Sequence, residues 1–231
     1  MASLNMLVYD IMEIVNHNYI SDDVSLSKRE VAFWINTQRA LLIRQELNKG
    51  RSVDPAITQT IDCLELEVVS SSSCCSNNSD CMVLRTVEQI PMPLSTYGRQ
   101  GLIRIGPVSS ISKPYSVVSQ LQSLYSGNGR FNTQQKFAYY KDGYIYIKLN
   151  TLTTIVLKRI SVTAIFEEPE LVIKLNDCSG NSCFSWDDEY PLSGWMIDYI
   201  KENILKLNIQ TLKQLPTDRT NDSSGEQNSQ L

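Results

Sequence analysis

Part-way along the chain the spacing of apolar residues changes period, and this constrains the fold more than any single motif. Over roughly the first 60 residues, apolar side chains recur at three and four, as on one face of an α-helix. Leu4, Leu7, Val8, Ile11, Ile14 and Val15 form such a stripe, which predicts a helix over 3–18 ended by Asn16-His17-Asn18. A second helix is expected over 27–49. Ser27 with Glu30 three residues later has capping-box spacing, and the helix continues through Val31, Trp34, Ile35, Leu41, Leu42 and Gln45. Gly50 suits the left-handed stop after it. The polar link between the two helices favours a helical hairpin. Asp54-Pro55 then reads as an N-cap followed by proline at the first helical position, starting a short helix over 55–60.

From residue 63 the period is two. "CLELEVV" alternates Leu64, Leu66 and Val68 with Glu65 and Glu67, as a half-buried strand does. "MVLRTV" (82–87) is its expected partner across a polar loop, and "GLIRIG" (101–106) reads as another strand. Residues 113–125 are expected to form a short helix with Val117, Leu121 and Leu124 on one face. In "FAYYKDGYIYIKL" (137–149), Asp142-Gly143 separates two aromatic and β-branched runs, the signature of a tight hairpin. Residues 153–166 supply a further long strand. Pro191 is expected to open a last helix over 191–214, carrying Leu192, Trp195, Met196, Tyr199, Ile200, Ile204 and Leu207. After Leu215 the sequence has almost nothing to bury, so 216–231 is expected to be a flexible polar tail. The fold class is α+β in one domain, 1–215. An N-terminal helical hairpin and a C-terminal helix pack with an antiparallel sheet (β-rich part 63–167) that carries a projecting hairpin.

Few function classes remain. No run approaches the ~18 apolar residues that span a bilayer. The apolar N-terminus is interrupted by Asp10 and Glu13 and has no basic lead, so it reads as a folded helix of a protein made and kept in the cytoplasm. A formal net charge of −4 gives no support to a dedicated DNA binder. Of the six cysteines, Cys63, Cys74, Cys75 and Cys81 lie in one stretch, with Cys178 and Cys183 far downstream. Adjacent Cys74 and Cys75 leave no loop to wrap a zinc ion, and in a reducing compartment all six are expected to be free thiols. His17 is the sole histidine and has no partner at catalytic spacing. Two acidic clusters, Glu167/Glu168/Glu170 and Asp187/Asp188/Glu189, are the candidates for a carboxylate-dependent hydrolase. Both sit at element ends, where solvated carboxylates are ordinary. No phosphate-binding glycine loop is present, and no catalytic residue, cofactor site or metal site is assigned. The interleaved tyrosines and lysines of 136–148 would serve a small nucleic-acid-binding module or, by cross-strand packing, a protein interface.

Several stretches in fixed order carry a family resemblance. "SDDVSLSKREVAFWINTQRALLIRQELNKG", "ITQTIDCLELEVV", "IPMPLSTYGRQGLIRIGP" and "YPLSGWMIDYIKENILKLNIQTLKQLPTDRTNDSSGEQ" resemble a head–tail connector protein of crAss-like bacteriophages. The resemblance implies a virion protein at the head–tail junction, a portal-proximal ring subunit without catalytic residues. Its implied partners are further copies in a ring, dodecameric like the portal, the portal protein, other tail and ring proteins, and double-stranded DNA passing without sequence-specific binding. A ring closed by head-to-tail contacts needs two different patches per subunit. The candidate interface residues are Tyr139, Tyr140, Tyr144 and Tyr146 on the hairpin, with Leu215, Asp218 and Arg219 at the start of the tail.

Overall fold

The computed structural model describes residues 2–16, 26–50, 52–69, 83–96, 99–108, 113–126, 135–148 and 157–209. Helix α1 (Leu4–Asn16) buries Leu4, Leu7, Val8 and Ile11, while Ile14 near its end is exposed. Helix α2 (Lys28–Asn48) starts where Ser27 Oγ accepts a hydrogen bond from Glu30 N at 3.1 Å, satisfying a backbone donor that the first turn leaves orphaned. It ends at Gly50, whose φ of 73° is the left-handed conformation expected of that glycine. The buried face of α2 differs from the apolar stripe read in sequence. It runs through Val31, Ala32, Ile35, Asn36, Arg39, Ala40 and Ile43, whereas Leu41 is exposed and Trp34 only partly covered. The expected helix over 55–60 is a single 3-10 turn, Pro55–Ile57, capped by Asp54 Oδ1 on Ala56 N. It stops because Thr58 is already extended, leading into a strand.

That strand is β1 (Gln59–Val69), followed by β2 (Val83–Thr86), the short pair β3 (Ser95–Thr96) and β4 (Arg99–Gln100), and β5 (Leu102–Pro107). Next come β6 (Ser116–Val117), β7 (Phe137–Lys141), β8 (Tyr144–Lys148) and β9 (Arg159–Ala164). Among the described residues, seven of these nine strands form one sheet in the order β5-β9-β1-β2-β8-β7-β6, and β3 and β4 pair separately. The β1–β2 pairing expected from sequence holds, with Leu66 opposite Thr86 and Val69 opposite Val83. Asp142 and Gly143 both have positive φ (52° and 86°), which a two-residue hairpin needs to match the twist of its strands. The hairpin is built into the sheet, with β8 beside β2 and β7 beside β6.

The sheet is mixed, because β6 runs parallel to β7. Its two edge strands approach each other: Tyr115 N, just before β6, donates to Ile105 O of β5 at 2.7 Å. The sheet therefore curls almost into a barrel, which leaves little open edge for unwanted pairing. The expected helix over 113–125 is reduced to α3 (Gln120–Tyr125) with a full capping box between Ser119 and Gln122. Pro114 and the parallel bridge to β7 keep 114–118 extended, and Leu121, grouped in sequence with Val117 and Leu124 on one face, is exposed. The strand expected over 153–166 is β9, within 159–164, and residues 151–156 lie outside the described residues.

The last helix, α4 (Gly194–Asn203), begins three residues later than expected and continues as a π-helical segment, Ile204–Ile209. The delay has a cause in α2. Arg39 is completely buried, and its guanidinium donates to three carbonyls: Nε to Pro191 O at 2.7 Å, Nη1 to Phe166 O at 2.8 Å, and Nη2 to Ile57 O at 3.1 Å. Pro191 therefore stays outside the helix, with its carbonyl accepting from the arginine. Beside it, Tyr190 donates its hydroxyl proton to Asn36 Oδ1 at 2.6 Å, and Asn36 Nδ2 donates to Glu170 Oε1 at 3.1 Å. The core around this knot is continuous, joining α1, α2 and α4 to the inner face of the sheet. We expect Arg39→Met to destabilise the chain by about 3–5 kcal/mol, because three buried carbonyls lose their donors. Equilibrium denaturant unfolding reads this directly, and an unchanged midpoint would show the knot to be dispensable.

Candidate protein interface on the outer sheet face

The strand register lines up four side chains across four adjacent strands. Glu67 lies opposite Arg85, Arg85 opposite Tyr146, and Tyr146 opposite Tyr139. Neighbours in the hairpin point the other way: Ala138, Ile145 and Ile147 are buried. Alternation along each strand thus puts the ladder on the outer face. Tyr139 and Tyr146 stack with centroids 5.2 Å apart and planes within 7°. The Arg85 guanidinium lies 4.7 Å from the centre of the Tyr144 ring and pairs with Glu67. Hydrogen bonds to Glu67 and then to Tyr146 raise the affinity of Arg85 for its proton.

Of the four tyrosines singled out in sequence, the structure brings Tyr139, Tyr144 and Tyr146 together on this face. Tyr140 alternates to the inner side and packs against the core, where burial raises its pKa. At one end the outer face is covered by α3, and Lys148 Nζ donates to Ser123 O and Ser126 O at 3.1 Å each. The outward side of α3 adds Leu121 and Tyr125, 73% and 81% exposed. Leu215, Asp218 and Arg219 lie outside the described residues. What sequence reasoning missed is Arg85 and Glu67: their pairing depends on strand register, which no local pattern reveals. A rigid tyrosine and arginine surface of this kind has the composition of protein-binding hot spots. It presents no nucleophile held by a base.

Two residues of each acidic cluster are engaged in structural contacts. Glu167 pairs with Arg44, and Glu170 accepts from Asn36, with burial and then Glu168 raising its pKa. Asp187 accepts from Asn5 Nδ2 at 2.9 Å, and Asp188 accepts from Ser185 N at 2.7 Å. Among the described residues, no group of three or more His, Cys, Asp or Glu side chains is placed to hold a metal ion. Among them also, no helix is long and apolar enough to cross a membrane.

The cysteines correct the free-thiol expectation. Cys63 and Cys178 form a disulfide with Cα atoms 5.1 Å apart. Cys63 stands at an irregularity of β1 between Ile61 and Leu64, with φ of 64°, and this turns its side chain toward the 177–180 turn. Compartment reasoning ignored what the topology does, which is to bring residues 115 positions apart into contact. Cys183, half-buried, is free, and Cys74, Cys75 and Cys81 lie outside the described residues. A cleft of about 290 Å³ beside the disulfide is lined by Glu65, Glu88, Arg159 and Asp177, of which Glu65 and Arg159 pair with each other at 3.2 Å.

Comparison with known protein families matches residues 6–229 to the crAss-type family described as phage tail ring protein 2. A search of curated proteins returned no match. The disulfide makes a separate prediction. Cys63→Ser, or reduction of the native chain, should lower stability by about 2–4 kcal/mol, the usual effect of closing a long loop. Reductant should then have no further effect on the variant. Equal unfolding midpoints with and without reductant in the native protein would show that the cross-link does not form in solution.

Proposed function

The chain belongs to the crAss phage tail ring protein 2 family, and from that premise we propose a subunit of the ring that connects head to tail. Family membership over nearly the whole chain makes it a structural ring protein of the phage tail and places it in the virion. The finer reading is a closed homo-oligomeric ring, twelvefold to match a portal, docked beneath the portal protein. In this reading it contacts other tail proteins and lines the passage for double-stranded DNA. The match over 6–229 carries the reading, and the outer-face ladder supports it, since neighbouring subunits need an exposed, ordered patch to grip. A net charge of −4 suits a channel that must not hold its DNA cargo. The structural contacts of Glu167, Glu170, Asp187 and Asp188 favour assembly over hydrolysis.

Electron microscopy of the purified chain mixed with its phage's portal protein tests the connector role. Rings coaxial with the portal are expected. Rings that form but never associate with the portal would place the protein elsewhere in the tail. The segment 216–231 is read as an assembly element, with Leu215, Asp218 and Arg219 at its root. Deleting 216–231 should leave thermal unfolding of the isolated subunit unchanged and reduce ring formation. A large fall in the unfolding temperature would instead make the segment part of the fold.

A further inference from the structure

The Cys63–Cys178 disulfide is within reach of solvent, and its surroundings are charged. Cys178 is exposed and Cys63 half-buried, and both line the cleft of about 290 Å³. Of the described residues in that lining, Glu65, Glu88 and Asp177 are carboxylates and Arg159 is the one cation. Arg159 pairs with Glu65 at 3.2 Å, so Glu88 and Asp177 leave the cleft net negative. Asp177 stays ionised, because the N–H groups of Asn181 and Ser179 hold its proton affinity below the usual carboxylate range. A concave site lined by one sign of charge focuses its field on whatever enters.

A third sulfur lies beside the pair. Cys183 N donates to Leu175 O, closing the loop that carries Cys178. The Cys183 sulfur accepts from the backbone N–H of Asp62, the residue before Cys63. Burial raises the pKa of this thiol, the Asp62 N–H opposes, and the charges of Asp177, Asp62 and Glu88 raise it further. At neutral pH it is a thiol and not the thiolate that attacks a disulfide. Reduction at that pH therefore needs a thiolate from solution.

We propose that this cleft is the reduction site of the cross-link, and that its carboxylate lining selects the attacking small thiol by charge, admitting zwitterionic thiolates and turning away dianionic ones. The thiolate attacks Cys178 Sγ, on the more exposed of the two residues. The S–S bond breaks, and Cys63 leaves as a thiolate that takes a proton from water. A second thiolate then attacks the small molecule's sulfur in the mixed disulfide, so Cys178 leaves in turn and the reagent departs as its own disulfide. Two electrons pass from two small thiols to the cystine. The 177–181 turn is then untied from the irregularity of β1 at Cys63. A cross-link guarded in this way persists among anionic thiols, where an unguarded one opens.

Reduction of the full native chain at low salt tests the selection with three thiols. The thiolate of cysteamine is a zwitterion, that of 2-mercaptoethanol a monoanion and that of mercaptoethanesulfonate a dianion. Acid quenching, alkylation and mass spectrometry of the Cys63 and Cys178 peptides give the rates, with cleavage after Glu67 separating Cys63 from Cys74. Dividing each rate by that of the same thiol on a small neutral disulfide removes differences in intrinsic nucleophilicity. Cysteamine should then lead mercaptoethanesulfonate by about tenfold, with 2-mercaptoethanol between them, and molar salt should shrink the lead to about twofold. Glu88→Lys, at an exposed position, should cut the lead about threefold with the unfolding temperature unchanged. Equal normalised rates, or a lead that neither salt nor Glu88→Lys reduces, overturns selection by charge. Rates independent of thiol concentration show a bond that opens only when the chain unfolds, and overturn the cleft as the route. A native chain whose Cys63 and Cys178 are alkylated without any reductant overturns the site altogether.

Discussion

The buried guanidinium of Arg39 is the contact on which the arrangement of the layers depends. A charge with no carboxylate partner among the described residues is costly to bury, and burial lowers the pKa of this arginine. It persists because its three acceptors are carbonyls that ordinary secondary structure leaves over. Ile57 O lies at the end of a 3-10 turn, Phe166 O just beyond β9, and Pro191 O just before α4. Among the described residues none of the three has a ladder or helix partner, so each would cost about 1–3 kcal/mol if left unpaired. One side chain from α2 thus registers three chain segments at once. The Tyr190–Asn36–Glu170 relay beside it fixes the same helix against the 3-10 segment Pro169–Lys174.

With the inside tied in this way, the outside is free to be specific. The sheet curls until β5 and the residues before β6 share a hydrogen bond, and its outer face is then a curved, ordered surface. Cross-strand pairing orders the ladder before any partner arrives, because Glu67, Arg85, Tyr144, Tyr146 and Tyr139 hold one another. Preordered side chains lose little entropy on binding. On α4 the same economy comes from helix spacing, which sets Trp195 against Tyr199 and leaves both facing solvent. Exposed aromatics on two separate surfaces are a liability in an isolated subunit and a requirement in one that is covered on two sides.

The α+β class, the β1–β2 pair and the Asp-Gly hairpin were legible in sequence because each rests on local spacing or turn chemistry. The caps at Ser27 and Asp54 were legible for the same reason. Residue periodicity misled wherever a polar residue occupied the core. Arg39 lies on the stripe between Ile35 and Ile43, seven residues after Ala32, and a reading confined to apolar residues passes over it. Nor does apolar spacing tell which side is covered: Trp195, Tyr199 and Leu121, read among the apolar residues of their helices, are exposed. The disulfide, the parallel β6–β7 bridge and the Glu67–Arg85 pairing are products of topology, and no window of contiguous sequence contains them.

Shifted proton affinities can mark catalytic sites. Among the described residues, three of them, Arg39, Tyr190 and Glu170, meet in the buried knot that joins α2 to the chain before α4, and the others lie apart from it. Asp54 is held below its ordinary range by Ser193 and by Ala56 N, as a capping residue would be. Asp177 is lowered by the backbone of the turn it closes, at Asn181 and Ser179. Burial raises Tyr190, Glu170 and Tyr115, the last to about 12, and the first two belong to the relay beside Arg39. These groups are spread over the cap of the Pro55–Ile57 turn, the Pro169–Lys174 segment, the 177–181 turn, the β5–β6 seam and the residues just before α4. Each perturbation has a local structural cause, and together they describe stress points of a fold that several chain segments must close at once. A protein whose titratable groups are spent on holding its own elements in place presents its neighbours with a fixed shape, which is what a subunit repeated around an axis has to supply.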